Sequence, residues 1–286
     1  MSLVLVTGAT GTVGSRVVGG LRARGVPVRA FVRDPARAAT VLGDAVELAA
    51  GDLGDPAAIR RALDGVDRVF LASPNHPRQR EFETNVIDAA AAAGTPWIVK
   101  LSTIGAEVGS PLAFWDCHGR IEAHLAEAGV PATLLRPHFY MSNLLGSADA
   151  IRATGKLFAP AGGARIPMVD PGDVAAAATA VLAGGGHEGR VYHLTGPEAI
   201  TFDTVAEQLS AASGRPVDFV HVPDPAARAS LLQSGMPPWM ADNLLILFGI
   251  LRAGRWSVSD DVRALTGQAP RGFADFARAH AAAFGG

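Results

Sequence analysis

The chain has 286 residues, 49% of them hydrophobic, with a formal charge of −2; this suits one large domain or a main domain with a smaller lobe, and without a basic cluster gives no electrostatic reason to expect nucleic acid as a partner. Mean hydropathy is +0.23, yet the longest apolar run, Leu244–Leu251, is too short for the ~18 residues of a membrane span, and the N-terminus has no basic flank or cleavage site of a signal peptide. Cys117 is the single cysteine, which excludes an intrachain disulfide and a cysteine-based metal cluster; a cytoplasmic protein without a metal is expected.

Ser2–Val6 is a short apolar, β-branched run of the kind that forms an inner parallel strand. Gly8, Gly11 and Gly14 follow at three-residue intervals. They suit a tight turn, close approach of the backbone to a pyrophosphate, and packing of the next helix on the sheet. That helix, predicted from about Thr12 to Arg24, directs its free N–H groups and positive dipole end at the same pyrophosphate. Val28–Val32 then completes one βαβ unit, so the opening reads as a dinucleotide site.

Helices are predicted at Pro35–Val41, Pro56–Leu63 (Asp55 as N-cap), Pro77–Ala93 and Leu112–Ala128. Between and after them come strands at Val46–Ala50, Asp67–Ala72, Pro96–Ser102 and Ala132–Arg136. The alternation predicts an α/β protein, a Rossmann-like doubly wound parallel sheet. Gly- and Pro-rich sequence over Gly155–Pro171 interrupts it. A helix from Asp170 through Ala183 and a strand at Arg190–Leu194 are expected to return to the sheet. A helix at Thr201–Ser213, a strand at Val217–His221, an apolar helical stretch Pro223–Ala253 broken at Pro237-Pro238, and helices near Ser259 and Phe273 complete the chain. The apolar run at Leu244–Leu251 is expected to be a buried helix or a subunit contact. The expected division is a dinucleotide domain over 1–150, rejoined by 171–196, and a smaller, mainly helical substrate lobe over 151–286, the two interleaved.

The end of the second strand decides the nucleotide. A ribose 2′-hydroxyl is usually held there by a carboxylate, whereas a 2′-phosphate needs cations. Here Phe31 stands in that region and Arg33 follows, with Arg37 near; this favours NADP(H) over NAD(H), although Asp34 remains available to a ribose.

Val6–Gly14, Val32-Arg-Asp-Pro35, Gly51-Asp-Leu53, Val66–Leu71, Val99–Ser102 and Leu134-Leu-Arg-Pro137 together resemble the NmrA-like group of atypical short-chain dehydrogenases/reductases. That group includes NADPH-dependent quinone, azo-dye and triphenylmethane reductases. The resemblance implies that Thr10, Thr12 and Val13 join the three glycines around the cofactor and that Asp52 and Leu53 border the adenine. Leu71, Ala72 and Ser73 would then pass beneath the cofactor, with Ser102, Thr103 and Pro137 near the nicotinamide.

The Tyr-x-x-x-Lys pair of the larger short-chain family is missing. Tyr140 and Tyr192 are followed four residues later by Leu144 and Gly196, and the positions where the pair is expected hold Trp115 and Gly119. What remains resembles the NmrA-like reductases, which implies that catalysis rests on aligning an electron-poor acceptor against reduced nicotinamide. Trp115, Phe139, Tyr140 and Met141, with Trp239 or Trp256 from the lobe, are read either as an acceptor slot or as core packing. His118 is the leading polar candidate, sharing a helix face with Trp115 and Glu122, which is expected to hold its imidazole; the alternative is a surface His–Glu pair. Tyr140 is a second proton-donor candidate. His138 and Asn143 are placed near the substrate or carboxamide, while Lys100 and His76 receive no role. The expected function is an NADPH-dependent reductase of a quinone, enone, imine or azo compound, acting as a monomer or homodimer on a small molecule. A non-catalytic NADP-binding redox sensor and a ketoreductase or dehydratase using His118 or Tyr140 are the alternatives.

Overall fold

A computed structural model describes residues 2–94 and 96–285. Met1, Thr95 and Gly286, which fall within the expected divisions of the chain, lie outside the described residues.

Seven strands form one sheet: β1 (Val4–Val6), β2 (Val28–Val32), β3 (Glu47–Ala50), β4 (Arg68–Leu71), β5 (Trp97–Leu101), β6 (Ala132–Pro137) and, after a short β7 (Lys156–Ala159) elsewhere, β8 (Val191–Leu194). Their order is β3-β2-β1-β4-β5-β6-β8 and every pairing is parallel. The order reverses between β1 and β4, the place where such sheets bind nucleotides. Successive residues point to opposite faces of a strand. Val4 and Val6 accordingly pack on one side with α1 (Gly14–Ala23) and α2 (Pro35–Leu42), while Leu5 packs on the other with α3 (Pro56–Ala62), α4 (Gln79–Ala92) and α5 (Ala113–Glu127).

Beyond β6 come a 3-10 turn at Met141–Ser147, α6 (Ala148–Thr154), α7 (Pro171–Ala183), α8 (Phe202–Ser213), β9 (Asp218–His221), α9 (Asp224–Gln233), α10 (Pro238–Ala253), α11 (Asp261–Thr266) and α12 (Phe273–Ala279). Of these α7 returns to the sheet, burying Val174, Ala177, Ala178 and Val181 in the same core as Val17, Val18 and Leu21 of α1. A separate core gathers Ile151, Leu157, Phe202, Leu209, Phe248 and Phe276. Strands β7 and β9 pair in parallel as a small second sheet. Strand β7 lies within the Gly155–Pro171 stretch, where four residues amid glycine and proline carry no detectable period.

Helix starts follow local chemistry. The Asp34, Asp55 and Asp170 carboxylates accept the N–H groups of Arg37, Ala57 and Gly172, each with proline at the first helical position, and the Thr201 hydroxyl accepts that of Thr204. Such caps contribute ~1 kcal/mol each. Among the described residues no helix is long and apolar enough to cross a membrane.

Candidate active site

The carboxyl ends of β1, β2, β3 and β4 open onto a groove of about 510 Å³. Gly8 turns the chain with φ +59°, and its carbonyl accepts the Gly11 N–H at 2.9 Å. A Cβ on Gly14 would lie only 2.2 Å from that oxygen, so the turn closes only with glycine there, while one on Gly11 would be tight at 3.2 Å. Thr10, Thr12 and Val13 line the groove between them, and no side chain caps α1; the Ser15 N–H is taken by the Gly11 carbonyl at 3.0 Å, which leaves the neighbouring N–H groups of the turn to an anion. The glycine cradle and the uncapped helix fit a dinucleotide pyrophosphate.

At the far end Arg33 and Arg37 line the groove, both exposed. Asp34 Oδ1 accepts the Arg37 N–H at 3.0 Å as the α2 cap and does not line the groove, so the charged side chains that line this end are Arg33 and Arg37. Asp52 and Leu53 form the wall beyond β3, with Asp52 Oδ1 accepting the Gly54 N–H at 2.7 Å. Ala72 and Ser73 line the groove from β4, whereas Leu71 is wholly buried in the core and cannot touch a ligand.

A second, larger cavity of about 1230 Å³ adjoins the groove. Ala72, Ser73, Leu101, Tyr140 and Asn143 line both. Ser102, Thr103, Pro137, Trp115, His118, His138 and Phe139 line the cavity and not the groove. The opposite wall is Met236, Met240, Leu244, Leu247, Phe248 and Leu251; this explains the apolar run, which is spent on lining a cavity. Among the described lining residues there is no lysine or arginine and one carboxylate, Asp149, itself paired with Arg152.

Three aromatic or sulfur side chains expected at the slot are elsewhere. Met141 packs in the second core; Trp239 meets Phe114 edge-on; Trp256 stands edge-on to Trp115 and His138, with centroids 6.1 and 5.0 Å away, and braces the slot from behind. His76 stacks on Phe82, its Nδ1 accepting the Arg78 N–H.

The partner expected for His118 is also different. Glu122 accepts bonds from the Ser102 hydroxyl and from two nitrogens of Arg136. A guanidinium offers a carboxylate a charged, two-pronged bond that a neutral imidazole cannot match. His118 instead meets Lys100, whose Nζ lies 3.2 Å from Nδ1, while the Gln79 amide nitrogen is 3.4 Å from Nε2. Lys100 in turn is 2.5 Å from Glu83 Oε2, with both side chains wholly buried. Burial and the Lys100 charge hold His118 well below the usual imidazole range, so it is neutral. Glu83 and Gln79 were missed in the sequence, although each interrupts the buried stripe of α4 that continues through Val86, Ile87 and Ala90.

His138 is buried, and its Nδ1 accepts the Phe139 N–H at 2.8 Å. Burial lowers its pKa to about 4, so the ring is neutral and its proton resides on Nε2, which is buried and has no partner among the described residues. Burial pushes the Tyr140 phenol above its ordinary value, which removes it as a base near neutral pH. Gly119, at the place where the larger family has lysine, backs directly on the Glu107–Val108 main chain.

The NmrA-like family matches residues 1–258. This chain belongs to the NmrA-like family. It is 39% identical over 284 residues, 99% of both chains, to an NAD(P)H azoreductase of Xenophilus azovorans. Over the same length and coverage it is 44% identical to a (4-alkanoyl-5-oxo-2,5-dihydrofuran-3-yl)methyl phosphate reductase of Streptomyces griseus. An Escherichia coli NADPH-dependent quinone oxidoreductase in complex with NADPH superposes with a TM-score of 0.88 at 34% identity, covering 96% of this chain and 98% of that one.

Proposed function

We propose that this NmrA-like protein is an NADPH-dependent reductase that delivers hydride to a small, uncharged conjugated acceptor, a quinone or azo compound foremost. The observation that carries the reading is the shared wall: Ala72, Ser73, Leu101, Tyr140 and Asn143 border both a glycine-cradled groove and a large apolar cavity. Bound NADPH supplies the hydride. The chain supplies position: the α1 N-terminus takes the pyrophosphate, Arg33 with Arg37 takes the 2′-phosphate, and Asp52 and Leu53 border the adenine.

Trp115, Phe139 and Tyr140 give the acceptor an apolar slot that excludes water, so that proximity does most of the catalytic work. His138 Nε2–H, lacking a partner, donates to the acceptor's oxygen or nitrogen and fixes which atom faces the cofactor. The shortage of cations around the cavity favours uncharged acceptors over phosphorylated or sulfonated ones. The second core stands as the substrate lobe; it takes Met141, Leu144 and Ala148 as well as residues of 151–170 and 197–286, whereas α7, β8 and Val262 of α11 pack with the sheet. A cavity of this size beside the groove favours an enzyme over a sensor that only binds nucleotide.

Spectrophotometric assay of NADPH oxidation against a panel of quinones and azo compounds tests the proposal. Acceptor-dependent oxidation supports it. Cofactor binding without oxidation by any acceptor sinks it in favour of a sensor.

A further inference from the structure

Five side chains form one hydrogen-bonded cluster behind the cavity wall. Glu83 accepts from Lys100 at 2.5 Å, from Ser73 Oγ at 2.8 Å and from Gln79 Nε2 at 3.1 Å. Lys100 spends its three N–H bonds on Glu83, the Leu101 carbonyl and His118 Nδ1. With Nδ1 accepting, neutral His118 carries its proton on Nε2. Lys100 and Glu83 are sealed from solvent, whereas His118, Gln79 and Ser73 reach the cavity wall.

A buried ion pair is a weak source of stability, and fixing the fold does not require an imidazole between it and a ligand cavity. The residue chosen also matters. Lys100 is one of only two lysines in a chain that otherwise uses arginine for its cations. Arginine holds charge as well but does not release a proton; lysine can.

We propose that Lys100 and His118 form an internal proton relay that completes the reduction. This rests on the reductase reading. Hydride transfer brings two electrons and one hydrogen nucleus to the acceptor and leaves it one proton short, as an oxyanion or nitrogen anion. That anion forms its O–H or N–H bond with the proton of His118 Nε2. As the Nε2–H bond breaks, Nδ1 takes a proton from the Lys100 ammonium, leaving a neutral amine beside the Glu83 carboxylate. His118 therefore passes from one neutral tautomer to the other and never has to persist as an imidazolium beside Lys100. In the discharged form the bare Nε2 accepts from the Gln79 amide nitrogen, 3.4 Å away. After product leaves, a water in the cavity returns a proton to Nε2, Nδ1–H returns its own to Lys100, and hydroxide departs. The charges on Lys100 and Glu83 are restored. Glu83 is thus a positioning residue, holding the ammonium in place.

Lys100→Arg and His118→Leu test the relay with menadione, an uncharged naphthoquinone, as acceptor. Wild-type turnover of menadione is measured first, with another uncharged quinone or azo compound of the panel in its place if menadione is not reduced; if none is turned over, the reductase reading fails and the relay with it. Given turnover, the relay predicts that both variants bind NADPH within about twofold of wild type and keep KM for that acceptor within about threefold. Their kcat falls at least tenfold, and added imidazole, a diffusible proton donor, recovers much of the loss in His118→Leu. Lys100→Arg with wild-type kcat would show that only a charge is needed and would overturn the proposal. If Lys100→Arg cannot hold NADPH, His118→Leu decides: an undiminished kcat, or a loss that imidazole does not repair, overturns the relay.

Discussion

Gly119 lies so close beneath Glu107 that a Cβ at its position would stand 2.4 Å from the Glu107 carbonyl carbon and 2.5 Å from the Val108 nitrogen. Helix α5 is therefore seated directly on the loop that precedes it, and a lysine there has nowhere to go. Restoring the familiar pair by Trp115→Tyr with Gly119→Lys is expected to lower the Tm without creating alcohol dehydrogenase activity. Gly119→Ala alone costs at least the ~1–3 kcal/mol of an overpacked site, read out by thermal denaturation.

Arg33 contributes charge where a 2′-phosphate sits. Arg33→Ala should weaken NADPH binding about ten- to hundredfold, the worth of a charge-assisted hydrogen bond, and leave NADH binding within about twofold. Titration calorimetry with both nucleotides checks it; equal losses would remove the phosphate from Arg33.

His138→Phe removes the unpartnered Nε2–H while keeping a flat ring against Trp256. KM for a quinone is expected to rise about tenfold, the scale of one lost hydrogen bond of ~1.5 kcal/mol, with NADPH affinity unchanged. Steady-state kinetics over both substrates separates the two effects.

Acid should weaken the fold through its buried imidazoles. The pKa of His138 drops from 6.5 to about 4, and that of His118 drops well below 6.5, so the unfolded chain binds more protons than the folded one in that interval. Stability then rises with pH across the window and is lost as pH falls from 6.5 toward 4. For His138 the loss is on the order of 3 kcal/mol over its full shift. Urea denaturation at pH 7 and pH 4.5 should show a smaller drop for His138→Gln than for wild type.

Much of the fold was legible because it is written in local signals. Asp before proline marked the starts of α2, α3 and α7, and glycine spacing marked the turn after β1. Glycine spacing and Arg33 after β2 were legible the same way, Asp52 only through the family resemblance, and Trp115, Phe139 and Tyr140, open in sequence between an acceptor slot and core packing, line the cavity. What escaped depends on long-range choice. Glu122 lies one helical turn from His118 in sequence, but Arg136 from β6 outbids the imidazole for it. Lys100 pairs with Glu83 across two elements, a contact that no periodicity announces. Trp256 faces Trp115 from a segment 141 positions away along the chain, and its edge-on stacking shows only in three dimensions.

Rapid mixing of the NADPH-loaded protein with menadione, followed by the absorbance of reduced nicotinamide, tests the central claim most directly. The account predicts stoichiometric loss of the bound NADPH signal in a single turnover, slowed when the transferred hydrogen of NADPH is replaced by deuterium. Retention of bound, reduced NADPH in the presence of saturating menadione would contradict it.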